Sequence, residues 1–348
     1  MIARRQFLRW STAALPFIGR ASETPSGPAT SFFVVSDTHY FANEESHGEL
    51  DVRSVERMQR LIDWLNRLPG SPIPSEAGGG QVPEPAGVIH AGDIIDSGDK
   101  NGAKYERMQQ TELEAFGRDF GIEGNDGRLR WPVREVHGNH DSPQGKGQAI
   151  DLLIERNRKR KHLAGLSENG LHSAWEWGGV HFFNLGIVVG EVTTPARRRR
   201  YAPMGSLDFL KAQLAAVPAD RPIVITHHID MMRYAAEVEE AKVLHHEWDF
   251  ADVRAYWDAI RERKIALVLY GHTHARNVFR WNGGNRPAPD GERAVPAFNA
   301  DNSGHFKDRK QTLNLVTVDA AGTLIREFAT ADAWETGAWT PQLWRFPA

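Results

Sequence analysis

Five short segments of this chain carry metal-binding side chains, and they lie far apart: Asp37-Thr38-His39, Gly92-Asp93, Gly138-Asn139-His140-Asp141, His227, and Gly271-His272-Thr273-His274. Carboxylates, imidazoles and one carboxamide are the donors that a pair of borderline or hard divalent ions takes when no thiolate is on offer. The chain contains no cysteine, which excludes disulfides, thiolate zinc sites and cysteine nucleophiles and leaves nitrogen and oxygen to hold any metal. Two-metal sites with ions roughly 3.5–4 Å apart lower the pKa of a bound water and clamp the oxygens of an in-line displacement at phosphorus. Hydrolysis of a phosphate ester is the chemistry this donor set points to.

Donors so far apart must be brought together by the fold. Four of the five segments follow apolar or β-branched runs, Phe32 to Val35, Val88 to Ile89, Ile223 to Ile225 and Ile265 to Leu269, which read as buried strands. Ligands at strand ends converge, because open α/β sheets place their sites beyond the carboxyl ends of the strands. Asp51 to Leu68 puts Val52, Val55, Met58, Leu61, Ile62 and Leu65 on one face at helical spacing, and Ala103 to Phe120, Ser206 to Ala216 and Ala251 to Arg263 are further helical segments. Pro132 to His137 is a third strand. Ala174 to Val189 reads as a hairpin about Gly178-Gly179, and Thr312 to Val318 with Thr323 to Phe328 as another. The Gly-, Pro- and Ser-rich stretch from Pro69 to Pro85 reads as an exposed loop or insertion. Helices alternating with strands, then consecutive strands, predict an α/β fold of two packed sheets with helices outside. The expected organisation is a leader over 1–27, one domain over 30–330 and a C-terminal extension over 331–348 packed on it.

With these motifs in this order, Phe32 to Arg276 resembles the calcineurin-like metallophosphoesterases, a superfamily that includes Ser/Thr protein phosphatases, purple acid phosphatases, phosphodiesterases and repair nucleases. The resemblance implies a four-layer sandwich of two mixed β-sheets flanked by helices. It implies that Asp37, His39 and His274 bind a first metal, that Asn139, His227 and His272 bind a second, and that Asp93 bridges them. It further implies that a metal-bound hydroxide attacks phosphorus directly, with no phosphoenzyme. His140 would protonate the leaving oxygen or stabilise the charge developing on it, and Asp141 would sit behind it. Manganese, iron and zinc all suit the mixed oxygen and nitrogen ligation. Ser97 stands where the Ser/Thr protein phosphatases carry an arginine, and Asp96 where purple acid phosphatases carry a tyrosine ligand, which sets those two branches aside. Asp96 with the turn Ser97-Gly98 is expected to support the site. The substrate is expected to be a small or lipid-headgroup phosphoester, with monoester and diester both open.

At 348 residues, 41% hydrophobic and with a formal net charge of −3, the chain can bury a large core and lacks a global footprint for nucleic acid. That argues against a nuclease. A periplasmic metal- or phosphate-binding protein that keeps the ligands without turnover is the alternative from another class. Arg4-Arg5 followed by Phe7 and Leu8, a short apolar stretch and small polar residues resembles a bacterial twin-arginine signal. It implies the Tat export machinery as a partner and a periplasmic or secreted location. No stretch is long enough for a transmembrane anchor. His228 either faces the pocket or packs under the neighbouring loop. Arg197 to Arg200 read as a solvated loop and His245-His246 as a loop flanking the cleft. Tyr40 and Asn43 are expected on the cleft rim. Trp334, Trp339 and Trp344 are expected to pack on core or edge.

Overall fold

The computed structural model describes residues 29–191, 200–233, 247–308 and 310–348. The twin-arginine segment, Arg197 to Arg199 and His245-His246 lie outside the described residues.

Two mixed sheets pack face to face. The first runs Ala338–Pro347 (β13), Gly322–Thr330 (β12), Gln311–Asp319 (β11), Thr30–Val35 (β1), Val88–His90 (β2), Val133–Glu135 (β3). The second runs Leu163–Leu166 (β4), Ser173–Trp177 (β5), Val180–Asn184 (β6), Ile223–Thr226 (β7), Ile265–Tyr270 (β8), Val295–Asn299 (β10), Val278–Trp281 (β9). Helices Val52–Arg67 (α1), Ala103–Phe120 (α2) and Gln148–Lys159 (α3) cover the outer face of the first sheet, and Ser206–Ala216 (α4) and Phe250–Ile260 (α5) that of the second.

Side-chain alternation along the strands builds this four-layer order. In β1, Phe33 and Val35 join the core under the helices while Phe32 and Val34 join the core between the sheets. In β7, Ile223 and Ile225 face the helices and Val224 faces the other sheet. The predicted hairpin at Gly178-Gly179 forms, with φ +54° and +83° at the two turn residues, the left-handed pair a two-residue turn requires. Helix α1 starts where the sequence placed it, since the Asp51 side chain accepts from Arg53 N and caps the first turn.

The stretch after Pro69 is a largely exposed loop, anchored by Ile73, Ala77 and Val82, which are buried in the helix-side core, and by the bridge Pro72↔Gln81. Residues 338–347 of the C-terminal extension form a strand, paired antiparallel with β12 from Gly322↔Pro347 to Ala329↔Ala338. One expectation needs correction. Tyr40 is buried rather than on the rim, donating its hydroxyl to Asp119 at 3.0 Å between Phe116 and Phe120. The tryptophans behave as expected: Trp334 is buried, Trp339 packs on Phe328 and Trp344 on Phe298. Helix α3, which the sequence reading passed over, is pinned to β3 by Glu135, whose carboxylate pairs with Arg156 at 2.6 Å and with Arg160. Burial would raise the Glu135 pKa, but the two guanidinium groups hold it down at about 2.

Candidate metal centre

Asp37 and His39 follow β1, Asp93 follows β2, Asn139 to Asp141 follow β3, His227 and His228 follow β7, and His272 and His274 follow β8. All five segments meet at one end of the sandwich. The backbone there is strained: Asp37, His39, Asp93, His272 and His274 have φ of +52°, +45°, +51°, +72° and +49°. Left-handed conformations at non-glycine residues cost energy and persist where the surrounding structure imposes them. The glycines in these motifs allow close approach. A Cβ on Gly138 would run into Asp93 Oδ1 and His228 Nε2, and one on Gly271 into Ser36 and Asp37.

Four overlapping donor groups result among the described residues: Asp37 with His39 and His274, Asp93 with His228 and His272, His39 with Asp96 and His305, and His274 with His305 and Asp308; the first two hold most of the expected ligands. His274 Nε2 is 3.2 Å from Asp37 Oδ1 and 3.2 Å from His39 Nε2. His39 Nε2 is 3.7 Å from Asp93 Oδ2, which joins the first two groups, and Asn139 Oδ1 completes the second at 2.7 Å from His272 Nδ1. Asp37, His39, Asp93 and His228 form a buried floor, while Asn139, His140, His272 and His274 line the opening.

The expected ligand His227 is not in this cluster. Alternation along β7 carries it to the helix side, where its fully buried ring packs against Trp248, Tyr256 and Tyr270, with the Ile229 backbone as a polar neighbour of the ring. Burial lowers its pKa to about 3, so it is a neutral core histidine. His228 occupies the position expected for it. Its Nε2 lies 3.1 Å from Asp93 Oδ2, and its Nδ1 donates to Ala91 O at 2.7 Å.

Each of the four clustered histidines has its outward nitrogen anchored: His39 Nδ1 beside Asp96 at 3.3 Å, His274 Nδ1 on Asp308 at 2.8 Å, His272 Nε2 on Glu247 at 2.9 Å, and His228 Nδ1 on the Ala91 carbonyl. Such partners fix the ring and the tautomer of a metal-binding histidine. A carbonyl oxygen carries no hydrogen, so His228 Nδ1 holds the proton and neutral His228 aims its Nε2 lone pair at a carboxylate. Two acceptors facing each other at 3.1 Å need a proton or a cation between them. The donor set therefore fits divalent metal ions. Without them, Asp93 and Asp37 raise the pKa of His228 and His274 to about 9 against the lowering effect of burial. Burial would raise Asp37, but His274 holds it at about 2.

His140 donates its main-chain N–H to Asp93 Oδ1 at 2.8 Å and its ring Nδ1 lies 3.3 Å from the Asp96 carbonyl. Burial alone would lower its pKa, but Asp93, Asp99 and Asp96 outweigh that and raise it. Asp141, expected behind it, is buried away from the opening. Its buried carboxylate accepts from Ile94 N, Ile95 N and Gly138 N at 2.7–3.1 Å and so ties the loop after β2 to the loop after β3. It is a positioning residue. Asp96 lies between His39 Nδ1 at 3.3 Å and Lys100 Nζ at 3.0 Å, and its carboxylate also falls within the donor group of His39 and His305. Glu247 and Asp308 went unseen in the sequence because single acidic residues in polar stretches carry no motif. His305 was missed for the same reason; its ring centroid lies 4.7 Å from that of His39 and 4.5 Å from that of His274.

Among solved structures, the chain is similar to GAP50, the anchor in the inner membrane complex of Plasmodium, at 10% identity and TM-score 0.47, covering 92% of this chain and 89% of that one. It is also similar to a predicted phosphoesterase from Streptococcus pneumoniae TIGR4, at 12% identity and TM-score 0.36 with 93% and 100% covered. A metallophosphoesterase from Sphaerobacter thermophilus matches at 12% identity and TM-score 0.30 with 82% and 83% covered. No curated protein matches by sequence. The family described as calcineurin-like phosphoesterase matches residues 30–276, the span that holds Asp37, His39, Asp93, His228, His272 and His274. On that match the chain belongs to the calcineurin-like phosphoesterase family, whose general reaction is metal-dependent phosphoester hydrolysis.

Proposed function

We propose that the chain hydrolyses a phosphoric ester, monoester or diester, at a pair of divalent ions. Asp37, His39 and His274 would hold the first ion, Asn139, His228 and His272 the second, and Asp93 would reach both. The observation that carries this reading is the apposition of His228 Nε2 and Asp93 Oδ2 at 3.1 Å, with the His228 proton committed to Ala91 O. The ions, when bound, would supply Lewis acidity at the phosphoryl oxygens and a coordinated water of lowered pKa.

The protein's own groups do the rest. Asp96, Asp308, Glu247 and the Ala91 carbonyl orient the four imidazoles, so little rearrangement is needed when the transition state forms. Asp141 holds the loops of Asp93 and His140 in register. With Nδ1–H directed at the Asp96 carbonyl, His140 keeps Nε2 for the substrate. Its raised pKa favours the protonated form, which gives its proton to the leaving oxygen as the P–O bond breaks. Export by the twin-arginine route to the periplasm or beyond is part of the proposal and rests on Arg4 and Arg5 alone; undiminished export of the R4K/R5K variant would count against it.

The test is to assay protein loaded with manganese, iron or zinc on a chromogenic phosphomonoester, the matching diester and single-stranded DNA, with and without chelator. Chelator-sensitive turnover of a mono- or diester that Asp93→Asn abolishes and His140→Ala lowers by about 10²–10⁴-fold is expected. Metal binding without turnover on any substrate would make the chain a binding protein. Turnover confined to DNA would make it a nuclease.

A further inference from the structure

Among the described residues, two arginines share one carboxylate beside the second donor group. Arg200 Nη1 is 3.7 Å from Glu247 Oε1 and Arg233 Nε is 3.5 Å from Glu247 Oε2. Both side chains are 49% exposed, while Glu247 is 6% exposed. Glu247 is already engaged, since its Oε1 bonds His272 Nε2 at 2.9 Å. One carboxylate thus serves an imidazole and two guanidinium groups. A guanidinium offers five N–H donors in a fixed fork, and neither arginine meets Glu247 in the paired, short geometry that would use them.

Both arginines are mounted on the rim. The Arg200 carbonyl accepts from Gln144 Nε2 at 2.8 Å and Ala202 N donates to Pro143 O at 3.1 Å, which ties that segment to the loop carrying Asn139 and His140. Arg233 closes a turn on Asp230, with Arg233 N on Asp230 O at 3.1 Å and Met232 N on Asp230 Oδ1 at 2.8 Å, just after His228. Next to Arg200 is Tyr201, whose ring is 5.2 Å from the Arg200 guanidinium and whose buried hydroxyl has no hydrogen-bond partner among the described residues. Burial first, then the charges of Glu247, Arg200, Asp93 and Arg233, act on that hydroxyl, so it lies within reach of these groups. A buried hydroxyl without a partner, near guanidinium N–H donors, suits an anionic oxygen.

The opposite rim carries carboxylates, with the Arg57 guanidinium near Asp308. Around the first group stand Asp96, Asp99 and Asp308, the last two 33% and 36% exposed, with Lys100 paired to Asp96. A substrate carrying a second negative group would be repelled from that side and drawn to the arginines.

We infer that Arg200, Arg233 and Tyr201 form an anion subsite, so that the preferred substrate bears a second anionic group, a phosphate or a carboxylate, beyond the scissile phosphoester on the second-metal side. This rests on the phosphoesterase reading above. The two are separable by binding non-hydrolysable probes to the manganese-loaded protein in a titration calorimeter: propylphosphonate, phosphonopropionate with a distal carboxylate, and propylene diphosphonate with a distal phosphonate.

Wild type should bind one or both of the doubly charged probes about tenfold or more tightly than propylphosphonate, the gain of charge-assisted hydrogen bonds at a half-exposed site, and rising salt should erode that gain. Which of the two gains identifies the distal group. R200Q/R233Q should bring all three probes to the affinity of propylphosphonate, and Tyr201→Phe should lose part of the gain. Manganese content is measured in each variant, so that a change passed through Glu247 to His272 is seen directly; a gain lost only together with the metal would overturn the subsite. Equal affinity of wild type for the three probes, no binding of any, or an unchanged gain in R200Q/R233Q would also overturn it. Loss of the phosphoesterase reading shows differently, as absence of turnover on every ester while the ranking of probes persists.

Discussion

Exchanging the roles of two adjacent histidines is the sharpest check on the metal centre. His228→Ala removes a donor from the second group and strands Asp93, a carboxylate only 1% exposed whose nearest imidazole partner is His228. Breaking a buried pair on one side costs about 3–5 kcal/mol. Losing an outer partner of a ligand weakens metal binding roughly 10–100-fold, and losing a ligand should cost more. His227→Leu removes a buried ring whose polar nitrogens meet little besides the Ile229 backbone. Relief of those groups is worth about 1–3 kcal/mol, and the imperfect fit of a leucine costs about 1.5 kcal/mol or less, so stability should change by less than about 2 kcal/mol. Metal per chain by plasma mass spectrometry, with urea unfolding in chelator, reads both effects. His228→Ala should lose about one ion per chain and His227→Leu none. The reasoning is refuted if His227→Leu releases an ion and His228→Ala keeps both.

The same residue gives a pH signature. With its pKa lowered by burial to about 3 from an ordinary 6.5, His227 favours the folded state above pH 6.5, and that contribution is lost as pH falls towards 3 because the unfolded chain takes the proton first. Wild type should therefore lose stability relative to His227→Leu over that interval in acid urea melts. Glu135, held at about 2 against an ordinary 4.5, contributes stability above pH 4.5 that disappears as pH falls through 2, and Glu135→Gln should cost about 3–5 kcal/mol at neutral pH by the same melts. His228 and His274, raised to about 9 in the metal-free chain, must release protons on loading; calorimetry in buffers of different ionisation enthalpy should show proton release and tighter binding as pH rises from 6.5 to 9. Gly138→Ala should empty the second site, since its methyl group would collide with Asp93 and His228, and metal content would show it.

Much of this centre was legible because its donors sit at the ends of apolar runs, and strand ends converge by topology alone. The error at His227 had a remedy in the same pattern. Ile223 and Ile225 face the helices, so the parity of β7 sends residue 227 to that side and residue 228 towards the sheet that carries Asp93. What stayed hidden was which face of β7 looked at which layer, a property of packing and not of the segment. Glu247, Asp308 and Arg233 were hidden for a related reason, since each acts across the fold on a residue distant in sequence. Strand β13 escaped because Thr340-Pro341-Gln342 and scattered tryptophans alternate poorly, as edge strands often do.

The placement of β1 sets the order in which the centre can come into being. This first strand is interior to its sheet, with β2 on one side and β11 on the other, in a register that pairs Thr30 with Val318 and Val34 with Asn314. Residues 30–276 carry Asp37, His39, Asp93, His228, His272 and His274, yet one flank of the strand that delivers Asp37 and His39 is supplied from beyond that span. Synthesis delivers those residues before β11, and pairing over so long a separation is slow. Until β11 pairs, Phe32 lacks its partner Val316 and Val34 its partner Asn314, so the strand that seats the first donors is closed on one side only.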